Sequence, residues 1–276
     1  MGLILVDMSN LAIGSLQKAN AGSKDLLELN DTNVRHIILK SLNDMHKKIG
    51  IHHELILCFD SRNYWRKDYF PFYKGSRKKS DTSFSWEDFY NIYNKMKEEL
   101  PLYFNYKCIE VDRCEADDII FVVSEYHKGE NIIIASSDTD DLQILEKYNC
   151  ALQFSLKHNR FITCEEYNYT LLEHIIEGDA ADSIPSIISD ADTYVNPDKR
   201  SKPLTKQKRA AFKLMIDDIY QGRFEENKKI IDMSQIPDNF RDAIIEEYLK
   251  EKPQRKGKPF DYCLKYKLGN LLKQLN

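Results

Sequence analysis

Acidic side chains are the residues of this chain whose spacing could do chemistry. They occur in short clusters, among them EADD (115–118) and SSDTDD (136–141). In a third cluster, EGDAAD (177–182), Asp179 and Asp182 are three residues apart and would share one face of a helical turn. Carboxylates held close together repel one another unless a cation lies between them. The clusters therefore suggest a site for hard divalent cations such as Mg²⁺ or Mn²⁺.

Each cluster also has a purely structural interpretation. Asp138 could cap a helix that begins near Asp140. Asp117 and Asp118 at a helix start would be stabilised by the helix dipole. The third cluster, taken by itself, is better explained as a capped helix followed by a turn. DTDD could begin a Ca²⁺-binding loop, but the glycine at the sixth loop position and the glutamate at the twelfth are missing. Zinc is disfavoured because the acidic clusters contain no His or Cys. A phosphatase nucleophile after the strand would leave the basic segment that follows Asp60 unexplained.

Four short apolar runs predict the strands that would bring the acidic residues together. They are LILVD (3–7), LILCFD (55–60), YKCIEVD (106–112) and NIIIASSD (131–138). A helical pattern over 117–129, with Gly129 as its stop, separates the last two. Alternating strands and helices predict a mostly parallel sheet with helices on both faces. Since parallel strands end at one edge, Asp7, Asp60 and the clusters at 115–118 and 138–141 should converge there.

Beyond residue 165 the sequence becomes mainly helical. Helical periodicity covers residues 165–179, 205–222, 225–232 and 239–250. We therefore predict an α/β domain over residues 1–182 and a helical region over residues 183–276, to which the basic segments described below would give a DNA-binding role. The least ordered segments should be residues 74–83 and 196–203, which are polar and basic.

A basic and aromatic segment follows the strand that ends in Asp60. RNYWRKDYFPFYKGSRKK (62–79) contains seven cations, six aromatic rings and one acid, Asp68. Cations can bind phosphates and rings can stack on exposed bases; alternatively, the rings belong to the core and the cations to a solvated face. Two further basic segments, 199–209 and 250–267, could bind a duplex backbone or could be solvated linkers.

The amino-acid composition is that of an ordinary soluble globular protein. The net charge of −4, from 40 basic and 44 acidic residues, argues weakly against a nucleic-acid partner. If the nine carboxylates expected at the common edge are left out, 35 acidic residues remain against 40 basic ones, and the rest of the protein is net basic. The six cysteines lack C-x-x-C spacing and are expected to be reduced thiols. We expect a cytoplasmic protein, with neither a signal peptide nor a membrane span.

Five motifs, taken in order, resemble the flap-endonuclease family of structure-specific 5′ nucleases. They are VDMSNLAI, CFDSRNYWRKDYFPFYKGSRK, EADD, SSDTDDLQI and IIEGDAADSIP, and the resemblance covers essentially the whole chain. It implies a PIN-like fold with an arch near residues 62–100. It also implies a metal-dependent phosphodiesterase that acts on RNA–DNA hybrids (ribonuclease H activity), duplex DNA and 5′ flaps and leaves 5′-phosphate products. The implied role is removal of RNA primers during replication, in the host cytoplasm if the gene belongs to a bacteriophage.

The resemblance also implies roles for individual residues, including two Mg²⁺ ions for which Mn²⁺ could substitute. Asp7, Asp60, Glu115 and Asp117 would hold the first ion, with Asp118 nearby, and Asp138, Asp140, Asp179 and Asp182 the second. Lys74 and Arg77 would reach the scissile phosphate. The residues implied to contact nucleic acid are Arg66, Lys67, Tyr73, Lys78, Lys79, Lys206 and Lys208, with Tyr73 stacking on a base.

One departure from the family pattern concerns the region after residue 185. SIISDADTYV (186–195) lacks the glycines of the family's helix–turn–helix, so a phosphate cradle or monovalent ion there is not implied. The C-terminus lacks the clamp-binding pattern of eukaryotic relatives. We expect a monomer that acts on DNA and on RNA–DNA hybrids. Its candidate protein partners are a single-strand DNA-binding protein and a sliding clamp. The alternatives are an endoribonuclease for single-stranded RNA and a non-catalytic binder of branched DNA.

Overall fold

A six-stranded sheet forms the centre of the protein in this computed structural model, which describes residues 2–21, 29–77 and 85–275. The strands are β1 (Leu3–Asp7), β2 (Glu54–Cys58), β3 (Lys107–Ile109), β4 (Ile132–Ala135), β5 (Ala151–Ser155) and β6 (Arg160–Ile162). Their order is β3-β2-β1-β4-β5-β6, and all neighbours are parallel except β5 and β6, which are antiparallel. The predicted mostly parallel sheet is confirmed.

The strand register brings the acidic residues to one edge. Asp7, at the end of β1, is paired with Cys58 at the end of β2, and Val6 is paired with Ala135 at the end of β4. Asp60 lies two residues beyond β2 and Asp138 three residues beyond β4. Because the strands run parallel, these three residues leave the sheet on the same side.

Strands β5 and β6 were not predicted, and the reason lies in their burial pattern. In β5 the polar residues Gln153 and Ser155 are buried, whereas Leu152 is exposed. The Gln153 side chain donates to the carbonyl oxygen of Asp138 at 2.6 Å and to that of Ser136 at 3.4 Å. A polar residue of β5 therefore fixes the acidic loop after β4 instead of adding to an apolar core.

Thirteen α-helices are present in the described residues. They are α1 (Met8–Ala21), α2 (Asp31–Ile49), α3 (Arg66–Tyr69), α4 (Trp86–Tyr103), α5 (Ala116–Tyr126), α6 (Leu142–Lys147), α7 (Cys164–Tyr167), α8 (Leu171–Glu177), α9 (Lys206–Leu214), α10 (Asp218–Ile231), α11 (Asp238–Leu249), α12 (Pro259–Lys265) and α13 (Gly269–Leu275). A 3₁₀ turn, Met233–Gln235, joins α10 to α11. None of the helices in the described ranges combines the length and the apolar character needed to span a bilayer.

Helices cover both faces of the sheet. Ile4 and Val6 of β1 face a core shared with α1, α2 and α4, while Leu3 and Leu5 face a second core shared with α5 and α11. Successive residues of the strand therefore point into two different cores, as expected for a sheet covered by helices on both faces.

Two predicted helices are each divided in two. The pattern over 165–179 forms α7 and α8, because Asn168 adopts a left-handed conformation (φ 53°) that ends α7. The pattern over 205–222 divides at the extended Met215, and its last residues join the pattern predicted over 225–232 in the single helix α10. Helix α5 ends at Tyr126, three residues before the predicted stop at Gly129.

The C-terminal helices return to the first face of the sheet. Tyr262, Leu268 and Leu271 belong to the same core as Ile4. The buried Arg35 of α2 contacts the Tyr262 hydroxyl and pairs with Glu99 at 2.6 Å, which ties α12 to α2 and α4. The division of the chain at residue 182 stays a prediction.

Candidate active site

The ends of β1 and β2 are fixed by backbone donors. Asp7 is buried, and its Oδ1 accepts a hydrogen bond from the Asn10 N–H at 2.9 Å. Asp60 accepts from the Ala116 N–H at 2.9 Å, so that the loop after β2 is tied to the first turn of α5. The sequence DMSN therefore orients the first carboxylate locally, and the start of α5 orients the second.

Carboxylates converge at this edge closely enough to change one another's ionisation. Burial, followed by the charge of Asp60, raises the pKa of Asp7 well above its ordinary value. Burial also raises the pKa of Asp117, followed by the charges of Asp141, Asp138 and Asp7. Four segments of the chain therefore meet at one rim, as the parallel topology predicted, and in the absence of a cation their charges repel.

Asp141 belongs to this rim although it was not among the predicted ligands. Its side chain is fully buried, and neither carboxylate oxygen has a well-formed hydrogen bond, although the nearby Ser136 hydroxyl lowers its pKa somewhat. Burial and then the charge of Asp138 raise the pKa of Asp141 to about 7. A buried carboxylate without a well-formed hydrogen bond needs either a proton or a cation. The only sequence signal was its place as the last acid of SSDTDD.

A second group of possible ligands lies beside the rim. Asp140, His174 and Asp179 each offer one ligand atom, and these atoms lie within 4.8 Å of one another. No other group of three acidic, His or Cys residues in the described ranges meets that distance. Burial lowers the pKa of His174, which favours the neutral imidazole. The acidic clusters contain no histidine in sequence, so this residue was missed, because it reaches Asp140 only through the packing of α8.

Gly178 allows the chain to turn into this group. It has a positive φ (73°), and a Cβ at this position would lie 2.4 Å from the carbonyl oxygen of Ile184. The turn lets Asp179 form an antiparallel bridge with Ile184. Asp179 and Asp182 therefore lie in a turn directly after α8 and not within a helix, which confirms the interpretation of this cluster as a capped helix followed by a turn.

The predicted catalytic cations lie at the rim. Lys74 pairs with Glu115, and its Nζ lies 3.7 Å from Asp182 Oδ2. Arg77 pairs with Asp182 Oδ1 at 2.5 Å, while about half of its side chain stays exposed. The Lys74 N–H donates to the carbonyl oxygen of Asp182 at 2.8 Å, so the arch segment is attached to the turn that carries the last acidic motif.

Three predicted site residues have structural roles instead. The Arg66 guanidinium is buried and pairs with Glu115 at 3.0 Å and with Asp118 at 2.8 Å, so its assignment as a nucleic-acid contact is wrong. Tyr73 is 4% exposed, and its hydroxyl lies 2.8 Å from both Glu115 and Asp182, which contradicts a ring exposed for base stacking. Asp118 is fully buried and bound by Arg66 and by the indole N–H of Trp65, which contradicts its role as a metal ligand.

The other predicted nucleic-acid contacts are exposed where the structure describes them. Lys67, Lys206 and Lys208 are exposed, whereas Lys78 and Lys79 lie outside the described residues. A cleft of about 860 Å³ runs beside the rim; Asp7, Asp60, Lys74, Asp117 and Asp138 line it, together with α1 and the β5–β6 turn. The rim is therefore open to a large substrate.

A sheet whose parallel strands end in a rim of carboxylates, with two cations beside an open cleft, is the architecture of a nuclease. Residues 3–170 match the family model of the 5′–3′ exonuclease N-terminal resolvase-like domain. The chain belongs to this family, and the expected resemblance to 5′ nucleases is confirmed. Residues 166–276 match the model of the C-terminal domain of T4 ribonuclease H.

Among curated proteins, the chain is similar to the ribonuclease H of Enterobacteria phage T4. The two are 29% identical over 294 residues, which cover 100% of this chain and 95% of the phage protein. The resemblance therefore extends through the helical C-terminal region as well as the sheet.

Solved structures of bacteriophage T5 enzymes have the same fold. A T5 5′-exonuclease with bound zinc has a TM-score of 0.62 at 16% identity, covering 89% of this chain and 99% of that chain. The T5 flap endonuclease, in a complex with DNA and metal ions, has a TM-score of 0.62 at 16% identity, covering 91% of this chain and all of that chain. The predicted PIN-like fold is confirmed.

Proposed function

We propose that this protein is a Mg²⁺-dependent 5′–3′ exonuclease and flap endonuclease. Its substrates would be RNA–DNA hybrids, duplex DNA and 5′ flaps, and its role would be removal of RNA primers during DNA replication. The observation that carries the proposal is the convergence of Asp7, Asp117, Asp138 and Asp141 at one rim, with Lys74 and Arg77 beside it. Membership of the 5′–3′ exonuclease family supports it.

The residues present fit divalent metal ions. Asp141 has two buried oxygens without well-formed hydrogen bonds, and the pKa values of Asp7, Asp117 and Asp140 are raised by burial and then by neighbouring carboxylates. Asp7, Asp60, Glu115 and Asp117 would hold one ion; Asp138, Asp140, Asp179 and Asp182 would hold another, and we add Asp141 to the set. When bound, such ions activate water and stabilise the charge that develops on a phosphodiester. Mn²⁺ would substitute for Mg²⁺.

The chain's own residues position the substrate. Lys74 and the exposed half of Arg77 would contact the scissile phosphate, since both lie at the rim and line the cleft. Lys74 pairs with Glu115 and Arg77 with Asp182, so both cations lie beside carboxylates that would hold metal, within reach of a phosphate bound there. Lys67, Lys206 and Lys208, with Lys78 and Lys79, would contact the nucleic-acid backbone.

The proposed partners are nucleic acids and replication proteins. DNA and RNA–DNA hybrids with free 5′ ends or flaps are the proposed ligands, and the T5 flap endonuclease was solved with DNA and metal ions. We propose a monomer that meets a single-strand DNA-binding protein and a sliding clamp during replication.

A panel of 5′-labelled substrates tests the proposal. It contains an RNA–DNA hybrid, a 5′ flap and a single-stranded RNA, each incubated with Mg²⁺ and with EDTA. We expect the protein to cleave the hybrid and the flap near their 5′ ends, and only when Mg²⁺ is present. Internal cleavage of the single-stranded RNA alone would indicate an endoribonuclease, and binding of the flap without cleavage would indicate a non-catalytic binder.

Asp138→Asn tests the metal assignment within the same panel. This change keeps the side-chain volume and should leave the fold intact. We expect cleavage to fall by at least about 100-fold, more than a change outside the direct ligands typically costs. Cleavage equal to that of the unmodified protein at saturating Mg²⁺ would contradict the assignment. Circular dichroism in EDTA checks that the variant is folded.

A further inference from the structure

All the ligands predicted from sequence are carboxylates, but the one compact group of possible ligands in the described residues contains an imidazole. His174 lies with Asp140 and Asp179 in a group whose ligand atoms are within 4.8 Å of one another. The three residues come from different elements: the loop after β4, helix α8 and the turn after Gly178. The group therefore forms only when the loop after β4 packs against α8 and the turn that follows it.

The distances suit ligands of one ion. His174 Nδ1 lies 3.6 Å from Asp140 Oδ1, too far for a hydrogen bond. Ligands about 2.1 Å from a metal are about 3 Å apart in adjacent positions of an octahedron and about 4 Å apart in opposite ones. A small contraction around a cation would therefore bring all three atoms to coordination distance.

Tyr169 contacts the imidazole at Nδ1, the same nitrogen that faces Asp140. The Tyr169 hydroxyl lies 3.4 Å from His174 Nδ1, and the two rings meet edge to face with centroids 5.8 Å apart. The hydroxyl contact is long, so a metal could replace it at the nitrogen. The side chain of His174 is 15% exposed and that of Asp140 is 24% exposed, so the group is shielded yet reachable from solvent.

We propose that His174 is a nitrogen ligand of the metal position formed by Asp140 and Asp179, and that this position prefers a divalent transition metal to Mg²⁺. The inference rests on the proposed function, because it concerns the same metal centre. Carboxylates suit Mg²⁺, whereas imidazole nitrogen favours borderline ions, for which affinity rises along the first transition series. The rim formed by Asp7, Asp60 and Asp117 has only oxygen ligands, so the two positions would differ in metal preference.

Titration of the metal-free, full-length protein with Co²⁺ tests this preference, because its visible absorption depends on nitrogen ligation. The variants are His174→Ala, His174→Gln, which keeps more side-chain volume, and the control His52→Ala. His52 is exposed two residues before β2, at the opposite edge of the sheet from the acidic rim. Isothermal calorimetry with Mg²⁺ completes the comparison, and thermal unfolding in EDTA reports the fold of each variant.

We expect the His174 substitutions to weaken Co²⁺ binding much more than Mg²⁺ binding. Both His174 variants should bind one Co²⁺ ion at least about tenfold more weakly and lose the absorption of the nitrogen-ligated ion, while Mg²⁺ affinity changes less than about threefold. His52→Ala should match the unmodified protein. In addition, proton NMR of the unmodified protein loaded with Co²⁺ should show a strongly shifted, exchangeable imidazole N–H resonance, a readout that needs no variant.

Two results would overturn the inference. One is Co²⁺ binding and absorption in the His174 variants equal to those of the unmodified protein, together with no shifted imidazole signal. The other is an equal loss of Co²⁺ and Mg²⁺ affinity, which would indicate a general effect on the site. Neither result touches the proposed nuclease activity, which stands or falls on Mg²⁺-dependent cleavage of the flap by the unmodified protein.

Discussion

The guanidinium of Arg66 and the carboxylate of Asp118 form a buried, two-point ion pair. Arg66 Nη2 lies 2.8 Å from Asp118 Oδ1, and Nη1 lies 3.0 Å from Oδ2. The same guanidinium pairs with Glu115 and donates to the carbonyl oxygen of Ile230 at 2.9 Å. Arg66 therefore connects the arch segment, the start of α5 and the end of α10 beneath the acidic rim. Asp118 is one residue from a candidate metal ligand, yet it neutralises a buried cation.

Replacing Arg66 should cost stability. Arg66→Met keeps the aliphatic part of the side chain but leaves Asp118 buried and unpaired, and breaking such a pair typically costs about 3–5 kcal/mol. Urea unfolding in EDTA measures the loss, and Lys67→Met, an exposed neighbour, should change the free energy of unfolding by less than about 0.5 kcal/mol. A stable Arg66→Met protein would mean that water or another cation satisfies Asp118. In the double variant Arg66→Met, Asp118→Leu, much of the loss should be recovered.

Without metal, stability should fall as pH rises toward neutrality. The pKa of Asp141 is about 7 in the folded protein, against an ordinary value of 3.8. Between these values the folded state binds more protons than the unfolded state, so the stabilisation present below pH 4 is lost as pH rises through 7. The slope from one such group is at most about 1.4 kcal/mol per pH unit. Burial and neighbouring acids raise the pKa values of Asp7, Asp117 and Asp140 in the same direction.

Asp141→Asn isolates that contribution. Urea unfolding in EDTA at several pH values should show the variant gaining stability relative to the unmodified protein between pH 4 and 7, with a constant difference above that range. The variant should also bind divalent metal more weakly. Parallel curves for the two proteins would mean that Asp141 is already ionised in the metal-free fold.

Lys74 should contribute to the cleavage step more than to binding. Its Nζ contacts Glu115 and approaches Asp182, so it lies where metal ligands and a scissile phosphate would meet. Lys74→Ala should slow single-turnover cleavage of a flap by about 100-fold or more, as loss of a donor to a developing charge does. The dissociation constant should change less than about fivefold, equivalent to about 1 kcal/mol.

Lys128→Ala is the matched control for this comparison, because Lys128 is exposed just before β4, at the opposite edge of the sheet. It should cleave and bind like the unmodified protein. Equal losses of rate and affinity in Lys74→Ala would instead identify Lys74 as a phosphate anchor only.

The sequence predicted the sheet well where burial and apolar composition coincide. The four apolar runs became β1 to β4, and the carboxylates after them met at one edge because parallel register leaves little choice. It failed at β5, where Gln153 and Ser155 are buried because they bind the loop after β4. A buried polar residue with a specific partner looks, in sequence, like an exposed one.

The same ambiguity explains the errors in the site. A cation in a basic run gives no sign of whether it faces solvent, as Lys67 does, or a buried carboxylate, as Arg66 does. Asp141 was missed although it lies three residues after Asp138, because the sequence gives no sign that its side chain is fully buried. His174 was missed because its proximity to Asp140 depends on the tertiary packing of α8. Spacing along the chain predicted which edge of the sheet holds the site, but side-chain partners there required the folded structure.

Helix α9 begins with exposed cations that would suit duplex phosphates. Phe212 anchors α9 against Ile176 and Ile187, while Arg209 and Lys213 pair with acids of α8. The first turn carries Lys206 and Lys208, which are exposed and form no ion pair with other described residues, and it contains no acid. Backbone N–H groups at a helix start and nearby cations together favour a phosphate.

Removing these two lysines should therefore weaken the salt dependence of duplex binding. The slope of log affinity against log salt should fall by about 0.9 for each phosphate that is no longer neutralised, and so by about 1.8 for Lys206→Ala with Lys208→Ala. Fluorescence anisotropy with a labelled flap at several salt concentrations measures it. The control, Lys40→Ala with Lys128→Ala, removes two exposed cations from other surfaces and the same net charge. If both double variants lower the slope equally, net charge and not α9 governs binding, and the duplex must lie elsewhere.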